Sequence, residues 1–131
     1  MASMDMHNTT SEELGLATTT IGTNTTTNGA SVDLNDTNGF EGLEFYVLVA
    51  AFTDGDYALT IDESDDDSIF TATSAANMIG ESTISAAGTA RIGYVGKKQF
   101  ARLVVTSTNV TTGADVTAMA VKGFARHNPT A

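Results

Sequence analysis

Leu43-Glu-Phe-Tyr-Val-Leu-Val-Ala-Ala-Phe52 is followed by Thr53-Asp-Gly-Asp56 and then by Tyr57-Ala-Leu-Thr-Ile61. In the first stretch alternate positions fall into two sets: Leu43, Phe45, Val47, Val49 and Ala51, and Glu44, Tyr46, Leu48, Ala50 and Phe52. A period of two belongs to a β-strand, whose side chains point alternately to opposite faces. Both sets are largely apolar, which predicts a strand covered on both faces. Tyr57, Leu59 and Ile61 then alternate with Ala58, Thr60 and Asp62. The Asp-Gly pair between the two stretches predicts a hairpin.

The same reading extends outward from this pair. Val32 and Leu34 alternate with polar neighbours before a turn at Asn35-Asp-Thr-Asn-Gly39. Beyond Ile61, Ser64-Asp-Asp-Asp-Ser68 is a polar turn leading to a short strand over 69–73. Ser74-Ala-Ala-Asn-Met-Ile79 predicts one or two turns of helix closed by Gly80, and 82–85 another short strand. Ala90, Ile92 and Tyr94 alternate, Gly96-Lys-Lys98 turns the chain, and strands follow over 100–108 and 116–124 around a turn at Thr111-Thr-Gly-Ala-Asp115. About eight strands joined by short turns predict an all-β module, a β-sandwich or jelly-roll-like domain, over residues 30–131. No connection is long enough to hold the crossover helix of a βαβ fold.

Residues 1–29 read differently. Nine of these 29 are Thr, and the large apolar side chains other than Met are Leu14, Leu16 and Ile21. Such a segment buries too little surface to offset the entropy of ordering itself, yet Thr is β-branched and strand-prone. The expectation is an extended N-terminal arm, separate from the domain, that adds as a strand to an edge offered by a partner. Leu16, Thr18, Thr19, Thr20 and Ile21 are its candidate contacts.

Composition removes several functions. The 131 residues suffice for one domain and carry 16 acidic against six basic side chains, a net charge of -10. Without Cys there is neither a disulfide framework nor a thiolate metal site. The longest apolar run, Phe45 to Phe52, has eight residues, against the ~20 of a spanning helix, so no membrane partner is expected. The first residues lack a basic start followed by an apolar stretch, so no secretory signal is expected. An acidic chain is poorly suited to holding nucleic acid by its phosphates. Fifteen of the 16 acidic residues precede position 90 and all six basic ones follow it. Either the two parts pair and partly neutralise each other, which is the preferred reading, or they form a polarised binding surface.

No chemistry stands out among the candidate sites. Asp62-Glu-Ser-Asp-Asp-Asp67 offers oxygen ligands but lacks EF-hand spacing, and Asp is also a favoured turn residue. His7 and His127 lie near the termini, and no G-x-S-x-G or phosphate-binding loop is present. No catalytic residue, metal ligand or cofactor site is therefore nominated. Arg91, Lys97, Lys98 and Arg102 gather around a predicted hairpin, either as a patch that docks on an acidic protein surface or as charges that protect a strand edge. Tyr57 and Tyr94 are candidate exposed aromatics for a glycan-binding alternative.

One ordered succession of segments carries a resemblance. Val32-Asp-Leu34 is followed by Gly42-Leu-Glu-Phe-Tyr-Val-Leu-Val49, Asp54-Gly-Asp-Tyr57 and Asp62-Glu-Ser-Asp-Asp-Asp-Ser-Ile-Phe-Thr71. After Ile79-Gly80 come Arg91-Ile-Gly-Tyr-Val-Gly-Lys97 and Phe100-Ala-Arg-Leu-Val-Val105. Over about residues 30–127 this resembles small structural proteins of tailed-bacteriophage virions, of the capsid decoration or cement type. The resemblance implies a non-enzymatic protein, made in the host cytoplasm, that binds major capsid protein on the outside of the head and strengthens the shell. It implies no cofactor and no catalytic residue. A homo-oligomer, dimer or trimer, is expected, because a domain this small with so apolar a strand gains from further cover. A head–tail junction position, another virion position and a glycan- or cell-surface-binding sandwich remain alternatives.

Overall fold

The computed structural model describes residues 6–7, 9–35 and 39–126. Among them are eleven strands: β1 (Ser11–Ile21), β2 (Thr26–Asn28), β3 (Val32–Asp33), β4 (Gly42–Ala50), β5 (Asp56–Ser64), β6 (Thr71–Ala72), β7 (Met78–Gly80), β8 (Thr83–Ile84), β9 (Gly88–Tyr94), β10 (Phe100–Thr108) and β11 (Ala114–Gly123). They form two antiparallel sheets. The first runs β1-β11-β4-β9-β7; the second runs β2-β10-β5-β6, with β3 also on β10 and β8 also on β5. The expected all-β sandwich is present.

Alternation builds the core between the sheets. Phe45, Val47 and Val49 of β4, Ile92 of β9 and Val116 and Ala118 of β11 face inward from the first sheet. Tyr57, Leu59 and Ile61 of β5 and Leu103 and Val105 of β10 meet them from the second. Burying each large side chain contributes about 1.5–3 kcal/mol, set against the entropy of ordering the chain.

Two connections that read as hairpins, and the turn at 111–115, are arches between the sheets. β4 pairs with β11 and β9, whereas β5 pairs with β10, β6 and β8, so the Asp54-Gly55 turn carries the chain across the core. Links β9–β10 and β10–β11 also change sheet. Ala51, in the left-handed region at φ 48°, ends β4 and starts the first arch. An alternating strand looks the same whether its partner is its neighbour in sequence or lies elsewhere.

Residues 11–28 belong to the body rather than to a detached arm. β1 runs along β11 from Ser11 opposite Lys122 to Ile21 opposite Ala114, and β2 pairs with β10 in the other sheet. Two register shifts, between Leu14 and Leu16 and between Leu16 and Thr19, let β1 turn both Leu16 and Ile21 into the core. Gly15 permits the approach: a Cβ there would lie 2.9 Å from the Phe45 ring. The edge that the Thr-rich segment needs is supplied by its own chain.

Two further expectations change. The segment 74–79 is one turn of 3-10 helix (Ala75–Asn77), capped by Ser74, running directly into β7. The outer face of β4 has no cover among the described residues: Tyr46 and Leu48 are exposed.

At one end of the sandwich Lys122 is buried on the inner face of β11. Its ammonium lies 3.4 Å from the Asp33 carbonyl oxygen, 3.9 Å from a Glu13 carboxylate oxygen and 4.8 Å from the centre of the Phe40 ring. A cation among these partners ties β1, β3 and the 39–41 segment to β11.

Candidate functional site

The predicted arm contacts divide by face. Leu16 and Ile21 are core residues and unavailable to a partner. Thr18 and Thr20 point outward and bind β11: the Thr18 and Thr117 hydroxyls share a 2.8 Å hydrogen bond, and Thr20 donates to an Asp115 carboxylate oxygen at 2.6 Å. Thr19 donates to the Ala17 carbonyl at 2.8 Å. Thr18 and Thr20 staple β1 to its own sheet.

The four basic residues do not form one patch. Because β9 and β10 lie in different sheets, Arg91 stands on the outer face of the first and Arg102 on the outer face of the second. Arg102 is 3.2 Å from Asp62, and its guanidinium carbon lies 4.3 Å above the Phe70 ring, so it holds the loop after β5 against β10. The Lys98 ammonium is 2.6 Å from Asp65, whose hydrogen bond and charge raise the lysine pKa. Arg91 approaches Glu44 at 3.9 Å. Lys97 is exposed on the rim of an open groove of about 580 Å³, shared with Lys98, Gln99, Arg126, Asn35 and Phe40. Arg91, Lys98, Arg102, Lys122 and Arg126 thus each approach an early carboxylate, which partly neutralises the charge asymmetry of the chain.

Carboxylates in the acidic turns serve as acceptors for the backbone. Asp54 accepts from the N–H groups of Thr111, Thr112 and Gly113 at 3.0, 3.1 and 2.9 Å, binding one arch to another. These bonds, that from Thr111 foremost, hold its pKa below the ordinary value. Asp66 accepts from the N–H groups of Ile69 and Ser68 and from the Ser64 hydroxyl, and Asp56 from Ser85 and Asn109. Both are likewise shifted down, Asp66 chiefly by Ile69 and Asp56 chiefly by Ser85. Among the described residues no group of three or more His, Asp or Glu is placed to hold a metal ion. His127 lies outside the described residues.

Tyr57 and Tyr94, read as exposed aromatics, are both buried. The Tyr57 hydroxyl donates to the Asp54 carbonyl at 2.9 Å. That of Tyr94 donates to Glu63 at 2.6 Å and accepts from the Lys98 N–H at 3.1 Å; desolvation, then the bond to Glu63, raises its pKa. The aromatic platform expected for the glycan reading is absent at these two positions.

The surface that stands out was signalled only by the apolar second set of the 43–52 stretch. Leu14 of β1 lies opposite Met119 of β11, Met119 opposite Tyr46 of β4, and Tyr46 opposite Arg91 of β9. Leu14, Met119 and Tyr46 are 48%, 40% and 42% exposed, and neighbouring Leu48 is 48% exposed. Beside them a shallow groove of about 290 Å³ runs between Tyr46, Leu48, Thr89, Arg91 and Glu81. An apolar band of this kind, rimmed by charge, suits contact with another protein.

Fold and surface together define a two-sheet antiparallel β-sandwich with an apolar outer face on its first sheet. Among the described residues no helix is long and apolar enough to cross a membrane. No family model matches the chain, and no curated protein matches it. Among solved structures it is similar to the PBSX exported protein XepA, with a TM-score of 0.65 and 14% identity over 86% of this chain. The chain spans 37% of the length of that protein, and at this identity the likeness is one of fold.

Proposed function

We propose that this chain is a non-enzymatic structural protein of a tailed-phage virion, of the capsid decoration type, binding major capsid protein on the outside of the head and stabilising the shell. The observation that carries the reading is the ordered succession of segments from Val32 to Val105, which fall on strands and arches of one sandwich. The fold likeness to a protein named for PBSX supports the phage association. The exposed band around Tyr46 and Met119 supports a role in protein contact. A shell presents many equivalent sites, so modest contacts repeated by a small oligomer of two or three copies give tight overall attachment. In this reading the protein is made in the host cytoplasm and resides on the capsid surface.

The test is sedimentation of purified protein with expanded heads lacking it, beside soluble capsid subunits. Saturable binding to heads and greater resistance of those heads to heat are expected; failure to bind heads overturns the reading. A second reading, a phage-associated sandwich acting at a cell surface, draws on the word "exported" in the name of XepA. Binding to whole cells or glycans in place of heads would favour it.

A further inference from the structure

Just past the end of β11 the backbone holds one aromatic side chain out in water. Phe124 is 81% exposed, more than any other large apolar side chain among the described residues. Its φ is +55°, in the left-handed region, where a side chain crowds the neighbouring backbone. Three other non-glycine residues share that region: Asp67 and Asn109, whose short polar side chains tolerate it, and the small Ala51. Phe124 is the bulky exception.

Both flanks hold it there. The Gly123 carbonyl accepts from the Glu41 N–H at 3.2 Å, Ala125 packs against the core, and the Arg126 N–H donates to the Gly39 carbonyl at 2.7 Å. The chain reverses at residue 124 and throws that side chain outward. Glycine or asparagine would make the same turn with less strain. The ring rests on bare backbone, since a Cβ at Gly42 would stand 2.8 Å from its Cδ2. This shelf fixes the direction of the ring and leaves most of its surface in solvent.

We propose that Phe124 anchors this chain on major capsid protein, its ring entering an apolar pocket on the outside of the head. The inference rests on the capsid reading above, which supplies the partner; the structure supplies the side chain. Backbone strain persists at sites that serve a function outside the fold. A buried aromatic is the commonest kind of interface anchor, and one already fixed in direction loses little freedom on docking. Arg126 and Glu41, 3.8 Å apart and both partly exposed, give the ring a polar rim. One ring per copy, repeated over equivalent capsid subunits, makes attachment additive.

The test pairs two measurements on the full-length Phe124→Gly variant: melting of the free protein and sedimentation with expanded heads. Glycine takes the left-handed turn without strain, so Tm rises by about 2–4 °C. Loss of the ring weakens head binding by about tenfold or more. Ile69→Ala, at a side chain 72% exposed on the loop after β5, binds heads as the parent does. A ring kept only to cover Gly42 would make Phe124→Gly melt lower, and that result overturns the proposal. Unchanged head binding by Phe124→Gly overturns it and leaves the capsid reading standing; a parent chain that binds no heads overturns both. Loss of self-association with heads still bound would assign the ring to a second copy, which also overturns it.

Discussion

Truncating Ile21 to Ala separates a structural β1 from a detached arm more cleanly than deleting the segment. Ile21 is 2% exposed, lies opposite Ala114 and closes the core at the end of β1. Removing three carbons from such a site loses their transfer energy and leaves part of a cavity, together about 3 kcal/mol. For 131 residues the unfolding entropy is about 0.28 kcal/mol/K near the transition, so Tm falls by about 10 °C. Ile69→Ala is the matched control: the same truncation at a side chain 72% exposed changes stability by no more than about 0.5 kcal/mol, about 2 °C. Calorimetry of both variants beside the parent measures the contrast. Equal small shifts for the two would refute the placement of β1 in the sandwich, because an arm waiting for a partner contributes nothing to the melting of the free protein.

Other outcomes follow from particular contacts. Asp54→Asn weakens the protein at neutral pH by loosening the Thr111–Gly113 arch. Because the Asp54 pKa is lowered on folding, its contribution is complete above the ordinary carboxylate range and is lost as pH falls through the lowered value. Urea titrations should therefore show the gap between parent and variant closing in acid, and a gap that widens there would be contrary. Tyr94→Phe leaves Glu63 and the Lys98 N–H without their buried partner and costs about 1–3 kcal/mol; an unchanged denaturation midpoint would contradict the buried hydroxyl. Gly113→Ala costs about 2 kcal/mol or more, since φ is +101° and the new Cβ would press on the Ile21 carbonyl. Proteolysis should then open the β1–β11 edge first, and early cleavage elsewhere would argue against that junction.

The strands were legible wherever alternation was long. β10 occupies the expected 100–108, and β5, β9 and β11 follow the alternating Tyr57–Ile61, Ala90–Tyr94 and Val116–Phe124 stretches to within a few residues. Pairing was not legible. Nothing local in Leu16–Ile21 says that β11 has an open edge more than 90 residues away, as the Ile21–Ala114 pairing shows. The same limit turned two expected hairpins into arches and thereby split the Arg91–Arg102 group between opposite faces. Acidic turns were correctly read as turns, but the reach of Asp54 to another arch needed three dimensions. The apolar second set of the 43–52 stretch called for cover on both faces, and on the outer face that cover does not come from within the described residues.

As a structural component of a phage particle, the role proposed above, this sandwich must be present in complete virions. Electron cryo-microscopy of intact virions from a phage genome carrying this sequence, with mass spectrometry of the same particles, tests it most directly. The chain is expected among the virion proteins, with two-sheet density repeated over the outside of the head. Complete particles that lack the chain would contradict it.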